Sequence, residues 1–196
     1  MLAEWSTETG QHDPVLVLPW QAEGSAHAFV DLRDDPDALD SIPEADDHAA
    51  LLHALRSLNV SRSPVYTAKC DAWELDEAEL DALRMELLID SPEDAPEGFA
   101  SYIDVLWRDR NAFLSPHKLT PLLDRLTRLA GKLEHPTAKL EFILRPAVTD
   151  FGMVQEGYAV SLYVKAVGQD ANDAYLHWAD ALSDVVVLMR SKDAIP

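Results

Sequence analysis

Six side chains in three alternating runs are the ones whose types could do chemistry together: Lys69, Asp71 and Trp73, then Arg145, then Tyr163 and Lys165. The three cations can orient an anion, the carboxylate can serve as a general base, and the indole and phenol supply flat contact area. Alternation is what would gather them. In residues 65–75 (VYTAKCDAWEL), Tyr66, Ala68, Cys70 and Ala72 take one face while Thr67, Lys69, Asp71 and Trp73 take the other. Residues 139–148 set Leu140, Phe142 and Leu144 against Glu141, Ile143 and Arg145. Residues 158–167 likewise set Tyr158, Val160, Leu162 and Val164 against Ser161, Tyr163 and Lys165. If these strands share a sheet, the polar halves form one surface. Such a face is a site for a small anionic ligand, a covered partner surface, or a solvated outer face of the kind antiparallel sheets carry.

Other reactive groups fit bland roles. Cys70 falls on the apolar side, away from Lys69 and Asp71, which reads as a buried structural thiol rather than a nucleophile. The seven histidines lack metal-ligand spacing; His48 and His53 are five apart and do not share a helix face. The Asp-rich stretch Asp31–Asp47 lacks the alternating ligands, central glycine and terminal glutamate of a calcium loop. Asp150-Phe151-Gly152 matches three letters of a kinase motif without its companions, and the chain has no P-loop, GxGxxG, GxSxG or HExxH. No catalytic residue, metal site or cofactor is therefore expected, and whether the chain is an enzyme stays open.

Charge bounds the partners. Residues 1–100 hold 23 of the 35 acidic side chains and 5 of the 16 Lys/Arg, while residues 101–196 are nearly balanced. So one-sided a chain is not expected to bind a nucleic-acid backbone or an anionic membrane, since both need clustered cations. It suits electrostatic steering toward a basic partner. The leading expectation is a non-catalytic protein-binding domain, its partner another protein or a second copy of itself, with the acidic stretches 31–47 and 90–97 as contacts. The alternative is a small-molecule-binding protein or enzyme using the polar sheet face. One cysteine, no leader-like N-terminus and no long apolar run point to a cytoplasmic protein.

The elements that must position these residues follow from spacing. Residues 1–13 read as loosely ordered, 15–20 as a short strand, and 27–32 as its hairpin partner across a loop at 21–25. Arg33–Asp47 reads as a solvated acidic loop overlapping a helix that opens at Pro43 and runs to about Leu58. Asp76 with Glu79 forms a capping-box signature for the next helix. Phe99–Phe113 reads as a helix with Phe99, Tyr102, Ile103, Leu106 and Trp107 in its stripe. Ser115-Pro116 starts another, carrying leucines at i, i+3 and i+4 to about Glu134. Asp170 caps a last helix to about Arg190. The whole reads as a single α+β domain over 1–196. Its sheet is antiparallel or mixed, about five strands, loosely ferredoxin-like, with helices packed mainly on one face.

Overall fold

The computed structural model describes residues 1–21 and 28–196, apart from the side chains of Pro36, Asp37 and Asp40. The alternating runs build the sheet. β5 (Ala138–Asp150) and β6 (Val154–Gly168) form a long antiparallel hairpin, in register from Ala138 opposite Ala166 to Asp150 opposite Val154. β4 (Glu97–Trp107) lies antiparallel against β6, and β3 (Val65–Glu74) antiparallel against β4. On the far edge β1 (Leu2–Thr7) and β2 (Leu16–Leu18) both run parallel to β5. The order is β1-β5-β6-β4-β3, with β2 also paired to β5. The sheet is mixed and the fold is α+β.

Six α-helices stand among the described residues: α1 (Pro43–Asp47), α2 (Ala49–Asn59), α3 (Glu77–Glu86), α4 (Arg110–Phe113), α5 (Pro116–Ala130) and α6 (Ala171–Met189). Helices α2, α5 and α6 cover one face, bringing Leu51, Leu55, Leu122, Leu126, Trp178 and Leu182 onto Phe99, Ile103, Phe142 and Leu162. Trp178 is fully buried and donates its indole N–H to Ser101 Oγ at 2.9 Å. Truncating so large a buried ring costs about 3–5 kcal/mol.

The other face is plugged at both ends. Helix α3 starts at the expected capping box: Asp76 Oδ1 accepts from the Glu79 N–H at 2.9 Å, and the Glu79 carboxylate accepts from the Asp76 N–H. Its Leu80 and Leu83 then pack on Val167. At the opposite end, Phe113 of α4 packs with Tyr66, Leu106, Leu16 and Leu18. Between the plugs the face is polar.

Several sequence expectations are corrected. Phe99–Phe113 is not a helix; its first part is β4, an interior strand between β6 and β3. Phe99, Ile103 and Trp107 recur every four residues, which is close to one helical turn and is also two full strand repeats. Burial on both faces separates the two: Ala100 and Leu106 are as buried as Ile103. Residues 1–13, expected to be loosely ordered, contain β1. Its polar residues have distant partners, Glu4 on Lys139 at 2.6 Å and Glu8 just beyond the strand on Arg145 at 2.8 Å. The helix expected from Pro43 is split by His48, whose backbone is extended and whose ring sits among Phe99, Tyr175 and Trp178.

The acidic stretch 33–47 is less of a solvated loop than its charges suggest. Pro36–Ser41 is a 3-10 helix, and Leu39 and Ala45 are buried while Asp34, Asp35, Asp46 and Asp47 face water. Most of the loop at 21–25, and His27, lie outside the described residues. Ala28 bridges Gln21 in antiparallel sense, and residues 29–32 continue without joining the sheet.

Candidate functional site

Register puts the six sequence-predicted residues on one sheet face, opposite α2, α5 and α6. Across β4 and β6, Ala100 stands opposite Lys165, Tyr102 opposite Tyr163, and Asp104 opposite Ser161. β3 adds Asp71 beside Tyr102 and Trp73 beside Ala100, and β5 adds Arg145 beside Ala159. Lys69 arrives by a different route from the one its sequence position implies. Thr67 pairs with Val105 and Cys70 with Ile103, so Ala68 and Lys69 together face the single residue Asp104 in a β-bulge.

The bulge also resets the first half of β3. Tyr66 and Ala68 belong to the apolar plug at the end of the polar face, not to the side that holds Cys70. Thr67 turns to the helical side, where the Asn59 amide N–H donates to its Oγ1 at 2.7 Å. The Thr67 N–H in turn donates to Asn59 Oδ1 at 3.0 Å.

Much of the polar face is internally paired. Arg145 donates to Glu8 Oε2 at 2.8 Å and to Ser161 Oγ at 3.0 Å, and its guanidinium lies 5.8 Å from the Tyr163 ring. The Ser161 hydroxyl donates a hydrogen bond to Asp104 Oδ1. Burial pushes the Asp104 carboxyl above its ordinary range, although the Ser161 hydrogen bond and the charges of Arg145 and Lys69 pull the other way. Trp73, Tyr102 and Tyr163 form a shelf, with ring centroids 6.3 Å and 5.7 Å apart. The Trp73 indole is held by Glu79 Oε2 at 3.1 Å. Lys139, a buried cation next to Lys165 in register, is shared between Glu4 and Glu86. Lys69 and Lys165 make no ion pair among the described residues; their nearest rings are Trp20 at 5.1 Å and Tyr163 at 6.0 Å.

A cavity of about 440 Å³ lies beside the bulge, along the edge of β3. Of the six predicted residues, only Lys69 lines it. Its apolar wall is Trp20, Phe29, Val30, Leu32, Ile42 and Leu55, and its polar groups include Glu44, Ser41, Thr67 and Cys70. The Trp20 indole donates to the outward carbonyl of Ala68 at 3.0 Å, which ties that wall to the strand. A second clamp is Arg33. It pairs with Asp31 through two hydrogen bonds of 2.8 Å and 2.6 Å and lies over the rings of Tyr66 and Phe151 at 4.4 Å and 4.1 Å.

Cys70 lines this cavity from the helical side. Burial, then the carboxylates of Glu44, Asp71 and Asp104, push its thiol up to about 12, so it is a wall group rather than a nucleophile. Sequence reasoning missed the cavity because its wall residues sit inside a stretch dominated by acids. The signal present was the apolar set Leu32, Leu39, Ile42 and Ala45 threaded through that stretch.

Among the described residues no group of three or more His, Cys, Asp or Glu is placed to hold a metal ion, and no helix is long and apolar enough to cross a membrane. Compared with protein-family models, curated proteins and solved structures, the chain matches none of them.

Proposed function

We propose that this chain is a small-ligand-binding domain whose ligand occupies the cavity beside the β3 bulge. The observation that carries the reading is the cavity itself. A space of about 440 Å³ with mainly apolar walls and a few convergent polar groups is the form small-molecule sites take. The sheet face next to it supports the site rather than forming it, because Arg145 and Lys139 already have carboxylate partners. The test is a titration with a neutral apolar probe such as indole, read by thermal shift. Binding to the folded state alone stabilises by RT ln(1 + [L]/Kd), about 2.7 kcal/mol at a hundredfold excess over Kd. Ile42→Trp, which fills the cavity from its half-exposed rim, should abolish the shift. An unchanged shift in that variant, or no shift in the parent protein with either indole or L-phenylalanine, removes this reading.

A second reading, a protein partner, is favoured by a different observation. Val15 and Val17 at β2, and Phe151, Met153 and Val154 at the β5–β6 turn, are 44–62% exposed at one end of the sheet. Val17 pairs with Val148, two residues before the Asp150 that pairs with Val154. Exposed apolar side chains clustered beside a strand edge left unpaired among the described residues mark association surfaces. Sedimentation of the parent protein and of a Val17→Asp/Val154→Asp variant tests the self-association form. A monomer at every concentration in both would leave only a different protein as partner.

A further inference from the structure

Among the described residues that line the cavity there is one cation and one carboxylate, and they reach it from different elements. Lys69 comes from the bulge in β3, and Glu44 from α1. Neither makes an ion pair among the described residues, whereas Arg33, Arg84, Lys139 and Arg145 each have a carboxylate within 2.8 Å. The bulge also sets Lys69 and Cys70 on different sides of β3. Lys69 has Trp20 and Asp104 for neighbours, while Glu44 bears on the thiol of Cys70. The two charges therefore enter the cavity from different elements.

Resting on the reading of this cavity as a ligand site, we propose that it takes an apolar zwitterion of the hydrophobic amino-acid type. The ligand's carboxylate lies toward Lys69, its ammonium toward Glu44, and its side chain among Phe29, Leu32, Ile42 and Leu55. A lone carboxylate would satisfy Lys69 but be repelled by Glu44, and a lone amine would meet the reverse. A neutral ligand would desolvate both charges without replacing their water. Only a ligand carrying both signs gives each charge a partner, and the apolar lining then selects its side chain by size and shape.

Four probes of similar shape separate these cases: L-phenylalanine, 3-phenylpropanoate, 2-phenylethylamine and the neutral 3-phenylpropanol, titrated by calorimetry. L-phenylalanine is expected to bind at least about tenfold tighter than the other three, because each lost hydrogen bond to a charged group is worth that much or more. Two variants give a crossed signature. Lys69→Met should lose about tenfold for L-phenylalanine and come to prefer the amine; Glu44→Gln should lose as much and come to prefer the acid. Both side chains are partly exposed and outside the core, so the crossed preference does not hinge on folding.

Equal binding of the neutral alcohol, or of either singly charged probe, would overturn the zwitterion while leaving the cavity as a ligand site. No binding of L-phenylalanine or L-leucine to the parent protein would overturn it too. The separate indole titration then decides whether the cavity reading falls with it.

Discussion

Asp104 and Ser161 stand directly opposite each other on β4 and β6, and the serine hydroxyl donates to a carboxylate that is only 6% exposed. The pair lies under the bulge that carries Lys69, at the centre of the polar face. Arg145 reaches Ser161 rather than Asp104, so the carboxylate has a hydroxyl for its hydrogen-bonded neighbour and not a cation.

That arrangement has a pH signature. Burial raises the folded pKa of Asp104 above its ordinary value of 3.8. Between the two values the folded state holds more protons than the unfolded one. The group therefore favours folding below the ordinary value, and that advantage is lost as pH rises through the raised one. Asp104→Asn keeps an acceptor for Ser161 and removes the charge. Its Tm should exceed that of the parent at pH 7, with the gap narrowing toward pH 4. A variant less stable at pH 7 would mean that Arg145 and Lys69 stabilise the carboxylate by more than burial costs it.

The legibility of this molecule in its sequence divides along physical lines. Strands β5 and β6 were readable because each has a helix-covered face and a polar face, so their phase is written as alternation. The Asp76–Glu79 box was readable because it is local. β4 was not, since burial on both faces erases alternation and a four-residue spacing fits either element. The bulge at Ala68–Lys69 was invisible for another reason: VYTAKCDAWEL alternates without a break, and the slip exists only relative to β4. Lys69 reached its expected face, while Tyr66 and Ala68 did not share a side with Cys70. The cavity wall went unread because it depends on residues 28–44 folding back on β3, which no local period encodes.

Cys70 gives a direct probe of that wall. With its thiol pushed up to about 12 by burial and then by carboxylates, almost none of it is thiolate near pH 8. Reaction with a disulfide reagent at pH 8 should be at least about a hundredfold slower in the native protein than in urea, since the thiolate is the reactive form. Rates that match in the two states would mean that the thiol is open to solvent and that the strand edge beside it is not closed.

Two glycines of opposite character test how tightly the elements seat. A Cβ on Gly168, at the end of β6, would lie 2.2 Å from the backbone nitrogen of Ala174 in α6. Gly168→Ala must therefore push the helix off the strand, and overpacking of this kind costs about 1–3 kcal/mol or more. Gly131, which ends α5, has φ near −60° and nothing nearer than 3.5 Å to such a Cβ. Gly131→Ala should raise stability by about 0.4–1 kcal/mol through the unfolded chain's lost freedom. Urea unfolding of both variants measures the contrast, and equal effects would contradict the close approach at Gly168.

Arg33 should control the cavity without controlling the fold. Its guanidinium joins Asp31 to the rings of Tyr66 and Phe151, and so fastens the segment from Phe29 to Leu32 over the edge of β3. The Arg33 hydrogen bond holds the Asp31 carboxyl below its ordinary value of 3.8. A depressed carboxyl contributes stability above its unfolded pKa and loses it as pH falls toward the folded one. Acidification below pH 4 should therefore loosen this wall. Arg33→Ala should do the same at pH 7: faster amide exchange in residues 28–33, weaker indole binding, and little change in the exchange of β5 and β6. The partly exposed pair contributes modestly to global stability, so a large fall in Tm would place Arg33 in the folding core instead of on the cavity wall.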